Sequence, residues 1–262
     1  MGKVFFDISM SVDGFVAGPD PTLEDPLGKG GEQLHNWAIE AASWRESHGL
    51  EGGEHNVDSD VVAETLARQG AVVMGRRMFS GGAGPWEDDP KANGWWGEEP
   101  PFHMPVFVLT HHPREPLELQ GGTTFHFATD GIEVAVERAR AAAGDKDVLV
   151  AGGGKAVQQA LAAALVDDFQ LHVAPLFLGD GVRLFDAAPG DGLRIEQTRV
   201  IESPAATHLA YRVVRSSDQD FGSIALRPGL ASRAWDGCFS ARPDPKTRAA
   251  HAWSLVVAQE FK

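Results

Sequence analysis

Short, nearly continuous apolar runs alternate along the chain with stretches whose apolar residues recur every three or four positions. Residues 3–9 (KVFFDIS), 71–75 (AVVMG), 106–110 (VFVLT), 123–128 (TTFHFA), 147–151 (DVLVA) and 169–174 (FQLHVA) read as strands. Several are apolar throughout, as strands buried on both faces are. The longer period predicts helices over 32–47, 59–69, 132–143 and 155–166. Asp58 or Ser59 and Asp130 stand where N-caps are expected, and Gly70 and Gly144 where C-caps are. Strand and helix in alternation imply an α/β fold with a mixed, mainly parallel sheet flanked by helices. Residues 193–202 and 207–215 flank the turn-like Ser203-Pro204-Ala205, which predicts a C-terminal antiparallel hairpin.

Two segments break the alternation. Residues 81–105 (GGAGPWEDDPKANGWWGEEPPFHMP) are rich in Gly, Pro and Trp and too long for a simple connection. Such a loop is either a lid or pocket wall, or a surface excursion pinned by its own tryptophans. From residue 216 onward there are six Lys/Arg against five Asp/Glu, so the body before it carries the negative charge. The expected division is a domain over 1–215 and a C-terminal extension of unknown role over 216–262, in which 246–260 could form a short helix.

Composition narrows the function classes. At 262 residues, 43% hydrophobic and 23% charged, the chain is of ordinary globular make-up and long enough for a sizeable core. Its first residues have no basic segment, and Asp7, Ser9, Ser11 and Asp13 interrupt their apolar run, unlike a signal peptide. No 18-residue apolar stretch exists to suggest a membrane span. The single cysteine, Cys238, excludes an intrachain disulfide and fits a reducing cytoplasm. A net charge of -14 disfavours nucleic acid and anionic membranes as partners. An anionic ligand would therefore have to be held by local donors.

Such donors stand at three strand ends, where open parallel sheets bind ligands. In VVMGRRMF (72–79), Gly75 ends a strand and Arg76-Arg77 follow; in VFVLTHHPRE (106–115), Thr110, His111, His112 and Arg114 do; in VLVAGGGKAV (148–157), a glycine triplet leads into a helix with Lys155 in its first turn. Glycines there let backbone approach a phosphate, and the helix dipole favours its charge. Taken singly, each is as consistent with a tight turn or a solvated pair. The triplet is neither G-x-G-x-x-G nor a P-loop.

As an ordered set these motifs, with MSVDGFVAG (10–18) and HVAPLFLGDGVRLF (172–185), resemble the dihydrofolate reductase-like family over roughly residues 3–215. The resemblance is strongest to the subgroup related to the reductase domain of the bacterial riboflavin-biosynthesis enzyme. It implies an NADPH-dependent reductase acting on a small heterocyclic molecule, with a stand-alone 5-amino-6-(5-phosphoribosylamino)uracil reductase and a paralogue with another substrate both open. It implies phosphate contacts from Gly75, Arg76 and Arg77, a 2′-phosphate site at Thr110 with His111 or His112, and a pyrophosphate cradle formed by Gly152, Gly153, Gly154, Lys155, Ala156 and Val157. The family tends to hold its Gly-Gly peptide in cis, which is expected here for Gly152-Gly153. No acidic residue directly follows the 106–110 strand, which favours NADPH over NADH.

The substrate side is less legible. Asp13 in SVDG is the candidate catalytic proton donor by position in the subgroup, although a turn residue beside Gly14 would look the same. Folate reductases place an acid on the helix before the MGR strand, where Asp58, Asp60 and Glu64 stand here. Asp60 is put forward with Trp37 as a substrate contact, while Asp58 also reads as a cap. Among ten histidines no metal-binding spacing occurs, so no metal is expected. The deaminase domain's zinc signatures are absent from the sequence. A non-catalytic NADP-binding protein is the alternative, and acidic helix faces leave room for a homodimer.

Overall fold

In the computed structural model, which describes residues 2–82, 84–185 and 193–215, alternation along the first strand sets the layers. Val4, Phe6 and Ile8 of β1 (Val4–Ser11) enter the largest apolar cluster. The residues between them point the opposite way: the Arg68 guanidinium covers the Phe5 ring at 3.8 Å, Thr65 bonds Asp7, and Trp37 bonds Ser9. Asp7 and Ser9, two of the polar interruptions of the first run, are thus alternate residues of one strand on one face.

The remaining strands are β2 (Phe15–Ala17), β3 (Gln69–Gly75), β4 (Pro105–Leu109), β5 (Leu117–Glu118), β6 (Thr124–Ala128), β7 (Asp147–Gly152), β8 (Asp168–Ala174), β9 (Val182–Arg183), β10 (Arg194–Glu202) and β11 (Thr207–Val214). Nine form one sheet in the order β10-β11-β8-β1-β7-β3-β4-β6-β5, and β2 pairs with β9 separately. From β8 to β6 every pairing is parallel. The β10–β11 hairpin and β5 add antiparallel edges. The expected architecture, hairpin included, is the one found.

The helices are α1 (Asn36–Ile39), α2 (Ala42–Ser47), α3 (Val57–Arg68), α4 (Arg76–Ser80), α5 (Ile132–Ala143) and α6 (Gly154–Ala162). α5 buries Ile132, Ala135, Val136 and Ala139, and α6 buries Ala156, Val157, Ala160 and Leu161; both stripes have helical spacing and join the cluster of Val4 and Phe6. On the opposite face, Val72 and Met74 of β3 and Val106 and Val108 of β4 lie under the 81–105 loop. Its tryptophans pin that loop: Trp86 packs edge-on against Phe127 at 4.8 Å and donates to the His112 carbonyl at 2.9 Å, and Trp96 meets Phe102 at 4.8 Å.

Several local expectations are corrected. The single helix over 32–47 is a 3₁₀ turn, Gly31–His35, followed by α1 and α2. Ala41 is extended, because the chain there pairs with Glu54 through bonds of 2.9 and 2.7 Å. Neither Asp58 nor Ser59 caps α3; Asn56 does, its side-chain oxygen accepting from the Ser59 amide at 3.0 Å. Asn56→Ala is expected to lower stability by about 1 kcal/mol in a denaturant melt. α5 starts from Gly131 without a side-chain cap, while Asp130 pairs with Arg138 at 3.5 Å. Gly70 lies within β3 rather than at a helix end, and α6 stops at Ala162, before Ala164 turns to a φ of 53°. The extension over 216–262, its helix at 246–260 and Cys238 fall outside the described residues.

Candidate active site

The three donor-bearing strand ends are neighbours. β7, β3 and β4 lie side by side and parallel, with Met74 opposite Gly152 and Gly75 opposite Leu109, so all three leave the sheet at their shared carboxyl end. A Cβ placed on Gly75 would lie 3.7 Å from the Gly152 oxygen and the Gly153 nitrogen, so the first and third motifs touch. The Gly152-Gly153 peptide is cis, as expected.

Each glycine of the triplet has its own surroundings. Gly152 is buried at a φ of 126°, within 3.7 Å of Ile8 and Met78 by its missing Cβ. Gly154 is buried beneath Val16 of β2 and Val182 of β9, 3.3 and 3.5 Å from the same point. Gly153 between them is exposed, and among the described residues a Cβ there would meet nothing within 4 Å apart from its two chain neighbours. Open space therefore lies over the backbone that starts α6. The amides of Gly154 and Lys155 in that first turn have no intrahelical acceptor, and the Lys155 side chain is exposed beside them. Ala156 and Val157 turn their side chains into the core, so a ligand could meet only their backbone.

Arg76 does something other than expected. Its guanidinium is 7% exposed, pairs with Asp89 at 2.5 Å, contacts the Ser80 hydroxyl and lies 3.6 Å over the Trp86 ring. Burial would raise the Asp89 carboxyl, but the Ser80 hydroxyl, the Lys91 amide and Arg76 together hold it below the usual carboxylate range. Arg76 is thus committed to anchoring the 81–105 loop, and Arg77, which is exposed, is the arginine turned to solvent. Adjacent residues on the first turn of a helix point in different directions, which the pair of letters does not reveal. The third strand end has Thr110 buried, its hydroxyl accepting from the His112 amide at 3.1 Å, with His111 exposed and His112 half-buried.

Asp13 is an acceptor. Its carboxylate takes the amides of Leu178 at 3.2 Å and Gly179 at 2.7 Å, and Arg183 donates to its backbone oxygen at 2.9 Å. A hydrogen bond with the Ser11 side chain, then those amides, holds the carboxyl below its ordinary value. A carboxylate so held binds the loop after β8 to the β1–β2 turn and has no proton to give near neutral pH.

On the α3 side, Asp60 is exposed and Glu64 pairs with Arg199 at 2.6 Å, so the acid turned inward is Asp58. It meets His208 Nε2 at 2.7 Å; His208 Nδ1 lies 2.7 Å from His172 Nδ1, and His172 Nε2 contacts Asp7. Trp37 covers this chain, its ring centroid 4.3 Å from that of His172, while its indole donates to Ser9 at 2.9 Å. Sequence reading missed His172, His208 and Asp7 as a group. The β8–β11 register sets His172 opposite His208, 36 positions away in the sequence. The available signal was a histidine inside each of two apolar runs, since a polar group buried in a sheet requires a partner.

A family model described as the RibD C-terminal domain matches residues 2–209. No curated protein matches the chain. Among solved structures, a protein of Shewanella sp. PV-4 named for riboflavin biosynthesis superposes with a TM-score of 0.52 at 20% identity, covering 81% of this chain and 99% of that one. A diaminohydroxyphosphoribosylaminopyrimidine deaminase/5-amino-6-(5-phosphoribosylamino)uracil reductase from Thermotoga maritima gives 0.47 at 14% identity, covering 81% of this chain and 57% of the longer one. The riboflavin biosynthesis reductase of Saccharomyces cerevisiae gives 0.45 at 12%, over 82% and 89%. At that identity the likeness to the Shewanella protein is one of fold.

Proposed function

The chain belongs to the RibD C-terminal domain family, and from that premise we propose that it is an NADPH-dependent reductase of a small nitrogen heterocycle, of the 5-amino-6-(5-phosphoribosylamino)uracil reductase type. The observation that carries this reading is the meeting of Gly75 with the Gly152-Gly153 peptide at the carboxyl end of the sheet, with space open over Gly153 among the described residues. The residues present suit a dinucleotide. The pyrophosphate would lie over Gly153 against the first-turn amides of Gly154 and Lys155, with the charges of Lys155 and Arg77 at hand. Thr110, His111 and His112 would face the 2′-phosphate. Ala156 and Val157 would serve by seating α6, and Arg76 by fixing the neighbouring loop through Asp89.

Bound NADPH would supply the hydride. The chain's own part is to hold and orient. Asp13 fixes the loop at Leu178 and Gly179 beside the carboxyl end of β1, and so shapes the substrate wall. Asp58, with Trp37 above its histidine partners, is the inward acid on the substrate side in place of Asp60. A small-molecule substrate, a cytoplasmic location and a homodimer complete the proposal; among the described residues no helix is long and apolar enough to cross a membrane.

Titration followed by nicotinamide fluorescence tests the cofactor. NADPH is expected to bind in the micromolar range and more tightly than NADH; absence of NADPH binding, or a preference for NADH, overturns the reading. Oxidation of bound NADPH by dihydrofolate or a ribosylaminopyrimidine would then fix the substrate class. A non-catalytic nucleotide binder is the second reading, favoured by the burial of Trp37, which is 6% exposed. It predicts NADPH binding with no oxidation by any heterocycle supplied.

A further inference from the structure

The chain Asp7–His172–His208–Asp58 links β1, β8, β11 and α3 through three contacts, and their hydrogen count is constrained. An ionised carboxylate only accepts, so Asp7 and Asp58 each require a hydrogen on the Nε2 they face. The two Nδ1 atoms at 2.7 Å require one more, because two bare lone pairs at that distance repel and two N–H groups collide. Three hydrogens are needed, and two neutral imidazoles bring two. We infer that this buried chain stores one extra proton in the folded protein at neutral pH.

The surroundings agree from every side. Burial alone would raise Asp7, yet the charge and hydrogen bond of His172, helped by Thr65, hold it below the usual carboxylate range. Burial pushes His208 down, in spite of its bond to Asp58 and with the charge of His172 adding to the effect. His208 is therefore the neutral ring, giving Nε2–H to Asp58 and its Nδ1 lone pair to His172. The Trp37 face 4.3 Å from the His172 ring suits a cation. His35, on the 3₁₀ turn beside it, is pushed down to about 4, first by burial and further by His172, and stays uncharged. Both histidines are essentially inaccessible, 0% and 2% exposed, so the extra proton is held inside the chain of four residues.

The sign of the pH dependence follows. Above the ordinary histidine value of about 6.5, the unfolded chain leaves both rings neutral while the folded chain keeps one proton. The stabilisation is present below that value and is lost as pH rises, with the unfolding constant growing about tenfold per pH unit until the folded chain gives the proton up. Asp7→Asn removes the need for it. An amide can accept from Thr65 through its oxygen and donate through its nitrogen to a bare His172 Nε2, so two neutral rings then satisfy every contact.

The test uses the full chain with ¹⁵N-labelled histidine. At pH 7.5, three of the four ring nitrogens of His172 and His208 are expected to carry hydrogens in the native protein and two in D7N. The alkaline rise of the unfolding constant should be about tenfold per pH unit steeper in the native protein than in D7N. Asp58→Asn makes the same exchange at the other end and serves if D7N does not fold. Two protonated nitrogens in the native protein, or three retained in a folded Asn variant, overturn the inference. These readouts need neither NADPH nor substrate, so they stand or fall apart from the reductase reading.

Discussion

Gly153→Val is expected to leave the fold intact and weaken NADPH binding by about 100-fold, equivalent to about 2.7 kcal/mol. Its backbone, at φ -65° and ψ -176°, is one that any L residue adopts, and an added Cβ meets nothing within 4 Å. Among the described residues, the space at Gly153 is open to a Cβ. The proposed pyrophosphate would be excluded, because the branched group would fill the space through which phosphate oxygens approach the α6 amides. The neighbouring glycines could not give so clean a result. Gly152, at a φ of 126°, would strain with any side chain, and Gly154 would crowd Val16. Nicotinamide fluorescence with a parallel thermal melt reads both quantities; unchanged affinity in a folded variant places the cofactor elsewhere.

Asp89→Ala is expected to cost about 3–5 kcal/mol of stability in a denaturant melt, because it strands the buried charge of Arg76. The side chains are 7% and 2% exposed, and the guanidinium also meets the Ser80 hydroxyl and the Trp86 face. Replacing both partners, as Arg76→Met with Asp89→Leu, should recover most of the loss, since no charge is then left unpaired. A loss below about 1 kcal/mol for the single variant would show that water reaches the pair after all. The carboxyl is depressed in the folded state, so its contribution is in place above the ordinary value of about 4 and disappears only as pH falls through the lower folded value.

Much of the fold was legible because it repeats. Val4, Phe6 and Ile8 on one face of β1, or Ile132, Ala135, Val136 and Ala139 on one stripe of α5, advertise their element by period alone. What failed were places where a distant segment overrode the local pattern. Residues 32–47 keep a helical rhythm, yet pairing with Glu54 opens the chain at Ala41. Asp58 has the look of a cap, yet His208, 150 residues away, claims its carboxylate and leaves the cap to Asn56. Arg76 and Arg77 are one motif in sequence and have separate duties in space.

The candidate site divides along the same line. By itself the sequence determined the strand ends, their glycines and basic residues, and the order of motifs that marks the family, because these depend on local backbone geometry and on neighbours in the chain. Only the tertiary structure decided which of those groups face open space. It turned Gly153 outward between two buried glycines, committed Arg76 to Asp89, and made Asp13 a loop clasp. It also brought Asp7, Asp58, His172 and His208 into one buried chain. The physical reason is that hydrogen-bond partnership and burial depend on sheet register and crossover connections, and those set residues 36 to 165 positions apart within 3 Å of one another.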